Sequence, residues 1–277
     1  MKPDLTHGQA IAWSALVLFA LVFTMQEVAY FVPSVSHDLV LRAGVEIVVY
    51  LVACALFSAR RPGRSFEDVF AFRRTSVPLL VVAALLGLSL RAPADFAGEA
   101  ILKVWPMPKE VYDEYSKILV PRNFGHGVAL AVVVGLAGPF VEELLYRGAL
   151  FTGLRSSADP ASTAMTTGFL FALAHVAPRF WPIYLVVAAC LGLLRAASGS
   201  LWPCILMHGV FNGTAVVMAF SPEKSDAFVL SPLVVGVSAL ASVLLVVTAV
   251  FLARRSGIAE RARALDVQPR PAQGAPS

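Results

Sequence analysis

The sequence predicts an all-α fold, a polytopic transmembrane helix bundle of about eight helices. Composition gives the first reason. Hydrophobic residues fill 58% of the 277 positions and charged residues 14%, against about 25% charged in an ordinary soluble domain. The second reason is the spacing of the apolar runs, since a helix needs about 20 apolar residues to cross the bilayer core. The third is the arginines, which gather between the runs, as topology signals do.

In chain order, the candidate spans are Ala10–Val32, Leu39–Ala59, Val77–Leu90, Gly127–Phe151, Ala161–Ala177, Pro182–Ala197, Leu201–Phe220 and Val229–Ala253. The third is short, and the fifth and sixth are tightly joined. Only Lys2 precedes the first apolar run with a positive charge, and no small-x-small cleavage pattern follows it, so an uncleaved helix is expected. Residues 91–126 form a more polar stretch in which Glu110 to Leu119 reads as a short amphipathic helix on the outer surface. The tail from Ser256, rich in Pro, Arg, Ala and Gln, reads as disordered. The expected organisation is 1–126 for the first helices and polar loop, 127–220 for a core carrying the polar motifs, 221–255 for the last helix and 256–277 for a cytoplasmic tail.

Orientation follows from Arg60, Arg61, Arg64, Arg73 and Arg74 after the second span, Arg155 after the fourth, Arg195 near the end of the sixth, and Arg254 and Arg255 after the eighth. Both termini in the cytoplasm place all of them on the cytoplasmic side. The net charge of +4 is small and gives no reason to expect nucleic acid as a partner. Cys54, Cys190 and Cys204 lie in or beside apolar runs without a Cys-x-x-Cys pair and read as packing residues.

Ionisable groups inside a span are costly and mark candidate sites. The fourth span carries Glu142, Glu143 and Arg147. Glu143 and Arg147 are four residues apart and can pair on one face, while Glu142 is rotated about 100° from Glu143 and freer to meet a water. The fifth span brings His175 one turn after Phe171, and the seventh brings His208 and Asn212 on one face. If these helices converge, a carboxylate, two imidazoles and an amide surround one point. Such a set suits peptide-bond hydrolysis: the carboxylate takes a proton from water, and hydrogen-bond donors stabilise the oxyanion. Elsewhere, Arg42 and Glu46 stand four apart in the second span and read as a structural pair.

Glu142-Glu143-x-x-x-Arg147, Phe171-x-x-x-His175 and His208-x-x-x-Asn212 together resemble the three motifs of the CPBP family, the CAAX-processing and bacteriocin-processing intramembrane endopeptidases also called Abi. The resemblance implies Glu142 as the carboxylate that activates water, His175 as its assistant, His208 and Asn212 as the oxyanion-binding pair, and Glu143–Arg147 as the supporting ion pair. It implies a membrane protein or peptide as substrate and the lipid bilayer as surroundings. Two histidines and a glutamate can also bind zinc, and the ligands would then be Glu142, His175 and His208. No His-Glu-x-x-His repeat lies on one helix, and an asparagine is a poor zinc ligand, so the expectation is a metal-free, cofactor-free mechanism. The alternative is a non-catalytic membrane protein for bacteriocin immunity or scaffolding; a proton-coupled carrier ranks lower, because no inverted repeat is evident. The arginine- and alanine-rich composition fits a bacterial inner membrane better than a setting with prenylated substrates.

Overall fold

The computed structural model describes residues 5–61, 63–118, 120–220 and 231–255. Among these residues it is an all-helical bundle without strands. The helices are α1 (His7–Phe31), α2 (Leu39–Ala59), α3 (Phe66–Phe70), α4 (Val77–Ser89), α5 (Arg91–Val104), α6 (Lys109–Ile118), α7 (Phe124–Leu154), α8 (Pro160–Ala174), α9 (Trp181–Ser198), α10 (Trp202–Met218) and α11 (Pro232–Arg255). Six segments are long and apolar enough to cross a membrane: α1, α2, the continuous Val77–Val104, α7, Pro178–Ser198 and α11. The chain is an integral membrane protein.

The sequence-based spans depart from this in instructive places. Val77–Leu90 does not stop at the first arginine: α5 continues it, with Arg91 held by Asp95 one turn on, and the predicted polar stretch begins as helix. The amphipathic helix is present as α6, and Leu119 lies outside the described residues. Residues 221–230 of the last predicted segment, and the tail from Ser256, also lie outside them. The fifth and seventh spans form helices of 15 and 17 residues, about 22–26 Å at 1.5 Å per residue, short of a core about 30 Å thick.

Local chemistry sets those short ends. Asp159 caps α8, its carboxylate accepting from Ala161 N at 2.9 Å and Ser162 N at 3.0 Å, with Pro160 at the first helical position. The helix ends just before Val176, Ala177 and Pro178, where a proline disfavours helical geometry in the residue before it. Gly199 closes α9 in the left-handed conformation (φ +65°). The turn from α9 into α10 is buried: Leu201 N donates to Ala71 O at 2.9 Å, and Ser200 Oγ donates to Arg73 O at 2.6 Å.

Arg195 also departs from its expected place. It does not mark the membrane surface but is fully buried, donating to Arg147 O and Thr152 Oγ1, each at 3.0 Å, with its guanidinium over the Phe151 ring. Two apolar clusters flank the polar centre. One joins α1, α2, α3, α7 and α8 through residues such as Tyr50, Phe57, Phe70, Leu150 and Phe171. The other joins α4, α9, α10 and α11 through residues such as Leu86, Leu191, Met207 and Ala249. The outer faces carry exposed Leu85, Leu88, Val237, Leu240, Leu244 and Phe251, an apolar surface that suits lipid.

Candidate active site

The site begins with an irregular helix. Pro139 has no N–H to offer one turn back, and residues Val133–Ala137 just before it wind as a π-turn. A second π-turn spans Leu144–Leu150, so Gly138–Glu143 is a short α-helical piece between two bulges. π-turns inside α-helices are frequent at functional sites. The first also lets α10 approach: a Cβ on Gly209 would stand 2.8 Å from Gly135 O, and one on Gly135 would stand 3.1 Å from Gly213 Cα. Only glycine permits that spacing, and it brings His208 up against the glutamates of α7.

Glu143 and Arg147 are fully buried. Arg147 Nη1 donates to Glu143 Oε1 at 3.1 Å, and its Nη2 donates to Ala188 O of α9 at 3.2 Å. The guanidinium also lies 4.6 Å from the Phe171 ring centroid. His208 Nδ1 donates to the same Glu143 oxygen at 2.9 Å. Asn212 Nδ2 donates to His208 Nε2 at 3.3 Å, the pattern that lets both imidazole bonds form on a neutral ring. The expected pairing of Glu143 with Arg147 is therefore present and extended by His208. Asn212 meets His208 directly rather than standing apart from it; its second amide N–H remains to serve another acceptor.

Glu142 is differently placed. Its side chain keeps 12% of its surface exposed, against none for Glu143. Its Oε2 stands 3.7 Å from His208 Nε2, beyond hydrogen-bond distance, and has no hydrogen-bond partner among the described residues. That leaves a carboxylate oxygen beside an imidazole with hydrogen-bonding capacity unused.

His175 closes α8. Its Nδ1 donates to Phe171 O at 2.9 Å, and its ring centroid lies 4.6 Å from Phe171 and 4.3 Å from Tyr184 of α9. Phe171 stands edge-on to His208 with centroids 5.6 Å apart, so one phenyl ring separates the two imidazoles. The next residue, Val176, holds φ +47°, a conformation that costs a β-branched residue about 1–3 kcal/mol. Nδ1 being occupied, Nε2 is the nitrogen left for chemistry. The sequence placed His175 in this neighbourhood but gave no sign of the aromatic wall or the strained turn.

A metal was weighed for Glu142, His175 and His208. Among the described residues no three His, Cys, Asp or Glu side chains converge as a ligand set. Both His208 nitrogens are engaged, by Glu143 and by Asn212, so His208 as placed does not fit a shared ion.

With that geometry in place, comparison with known proteins is informative. Residues 124–214 match the family described as type II CAAX prenyl endopeptidase Rce1-like. This segment is similar to that family. The matched segment is about a third of the chain and contains α7 to most of α10, with all of Glu142, Glu143, Arg147, His175, His208 and Asn212. The chain is also 21% identical over 96 residues to the protein named "Putative membrane peptidase YdiL" of Bacillus subtilis (strain 168). That match covers 35% of this chain and 39% of the relative, so the chain spans about two fifths of the length of the curated protein it matches. No solved structure matches.

Proposed function

We propose that this protein is an intramembrane endopeptidase that hydrolyses a peptide bond of a membrane-associated protein or peptide through a water activated by Glu142. The observation that carries the reading is the contrast within one dipeptide: Glu143 is fully buried and its Oε1 is bound by both Arg147 and His208, whereas Glu142 is held by neither, keeps 12% of its side chain exposed and sets Oε2 3.7 Å from an imidazole nitrogen. The Rce1-like match over 124–214 supports it.

In this reading Glu142 accepts a proton from water while the water oxygen bonds to the scissile carbonyl carbon. The second N–H of Asn212 donates to the oxyanion that results, with the His208 ring beside it. The C–N bond then breaks, and the proton held by Glu142 passes to the leaving amine, with His175 Nε2 as the group able to relay it. No metal enters these steps. Both termini in the cytoplasm, in a bacterial inner membrane, belong to the same proposal.

The test compares terminal peptides, by mass spectrometry, from membranes of cells bearing the wild-type protein and the Glu142→Gln variant. New termini that appear only with wild type support the reading. Identical termini, with the variant equally abundant and folded, would sink it and favour the immunity or scaffolding role.

A further inference from the structure

Helix α9 buries a cation, Arg195, that belongs to none of the three motifs. The second π-turn of α7 sets its place. In an α-helix the Phe151 N–H would donate to Arg147 O, four residues back. Here it donates to Tyr146 O, five residues back, and to Gly148 O. That N–H passes over the carbonyl of Arg147, and Arg195 Nε donates to it instead, at 3.0 Å. Inside a bilayer bundle no bulk water is at hand to satisfy such a carbonyl.

The guanidinium is itself fixed. Its Nη2 donates to Thr152 Oγ1 at 3.0 Å, its central carbon lies 4.9 Å from the Phe151 ring centroid, and the side chain is sealed from solvent. A guanidinium is planar and presents its donors in a rigid fork, so two bonds fix its orientation. Ala188 and Arg195 stand two turns apart on α9 and share a face. Arg147 is therefore held by α9 twice: its side chain donates to Ala188 O at 3.2 Å, and its carbonyl accepts from Arg195. The same Arg147 side chain holds Glu143, which accepts from His208. Glu142 and Glu143 end the helical piece that runs into this π-turn. If the turn reverted to α-helical bonding, one residue's rotation, about 100°, would swing the two glutamates relative to the rest of α7.

We propose that Arg195 is a positioning residue of this site: by holding the Arg147 carbonyl it keeps the π-turn open and so fixes the direction in which Glu142 and Glu143 face α10. It touches neither the water nor the peptide bond and acts through the backbone of Arg147. The inference rests on the hydrolase reading and deepens it, because it gives α9, which carries none of the three motifs, a part in the reaction.

The experiment uses the full-length protein in detergent, with the solubilised membrane proteome of cells lacking it as the probe. Initial rates of new-terminus formation over a concentration series of that proteome give apparent kcat, per folded molecule, and KM for each cleaved protein. Arg195→Met is expected to lower kcat at least about tenfold, within the roughly hundredfold that a misplacement of about 1 Å can cost, with KM unchanged. Arg195→Lys, which can still donate to the carbonyl but lacks the fork, is expected to recover part of that loss. Thr152→Val, which leaves the bond to Arg147 O in place, is expected to keep the wild-type kcat. Leu194→Ala, which empties a buried position next to Arg195, is expected to lower the unfolding temperature and keep the wild-type kcat per folded molecule. A folded Arg195→Met with wild-type kcat, or an equal loss of kcat in Leu194→Ala or Thr152→Val, would overturn the inference while wild-type cleavage stands. Should Arg195→Met not fold, Arg195→Lys is expected to fall below Thr152→Val in kcat, and equal values would overturn the inference. A wild type no more active than Glu142→Gln would instead remove the hydrolase reading, and this inference with it.

Discussion

The two sides of the polar centre are built differently. Between α7 and α10, Glu143, Arg147 and His208 form a closed set: one carboxylate oxygen accepts from both a guanidinium and an imidazole, and all three side chains are sealed from solvent or nearly so. Toward α8, Glu142 is hydrogen-bonded to neither Arg147 nor His208, and among the described residues His175 bonds through Nδ1 to its own helix. The closed side resembles a structural ion pair in which little can change without unfolding. The open side keeps Glu142 and His175 partly exposed, as chemistry requires. Two adjacent residues of one helix fall on opposite sides of this divide.

That comparison can be broken at several points. The largest effect is expected from Arg147→Leu, which strands the buried Glu143 and is expected to destabilise the protein by about 3–5 kcal/mol; thermal unfolding in detergent measures it. If Arg147→Leu unfolds like wild type, the closed side is not closed. Next is Glu142→Gln, expected to reduce cleavage by about 100-fold or more, within the range for loss of a general base, with thermal unfolding unchanged. Gly209→Val would push α10 off Gly135 O and is expected to cost about 1–3 kcal/mol, with cleavage lost as His208 leaves Glu143; unfolding and terminal-peptide yield report the two effects separately.

Smaller effects sharpen the open side. Val176→Gly removes a side chain from a left-handed residue. It is expected to change stability by less than about 1 kcal/mol, because relief of strain is offset by added chain entropy, while lowering cleavage as the end of α8 loosens around His175. Asp159 lies outside the membrane-spanning segments. The Ser162 N–H first, and the Ala161 N–H with it, hold its carboxyl below the usual range against the opposing effect of burial. A carboxyl lowered in the folded state stabilises above its ordinary value, and that contribution is lost as pH falls through the lowered one. Protection of the Ala161 and Ser162 amides in hydrogen exchange is therefore expected to fall with acid in wild type, and to lose that dependence in Asp159→Asn.

Much of this architecture was legible in the amino-acid sequence because it depends on spacing along one helix. Glu143 with Arg147, and His208 with Asn212, are four-residue relations that survive any packing of the helices. The length of the apolar runs likewise placed α1, α2, α7 and α11 to within a few residues. What escaped was set between helices. The π-turns around Gly138–Glu143, the contact of Gly135 with Gly209, and the buried turn at Ser200 and Leu201 have no period to read. Arg195 looked like a surface charge because arginines at span ends usually are; here the carbonyl of Arg147, within the second π-turn, takes its guanidinium inward. Arg42 and Glu46 looked paired because they stand one turn apart, but among the described residues no ion pair within 4.0 Å joins them.

The most direct measurement sets the two glutamates side by side. Glu142→Gln and Glu143→Gln, each as full-length protein, are compared with wild type for thermal unfolding and for new terminal peptides released from the solubilised membrane proteome. The account expects Glu142→Gln to unfold like wild type and release no new termini, and Glu143→Gln to unfold at markedly lower temperature. Cleavage by Glu142→Gln at the wild-type rate, or a Glu143→Gln protein as stable as wild type, would contradict the division of labour between them.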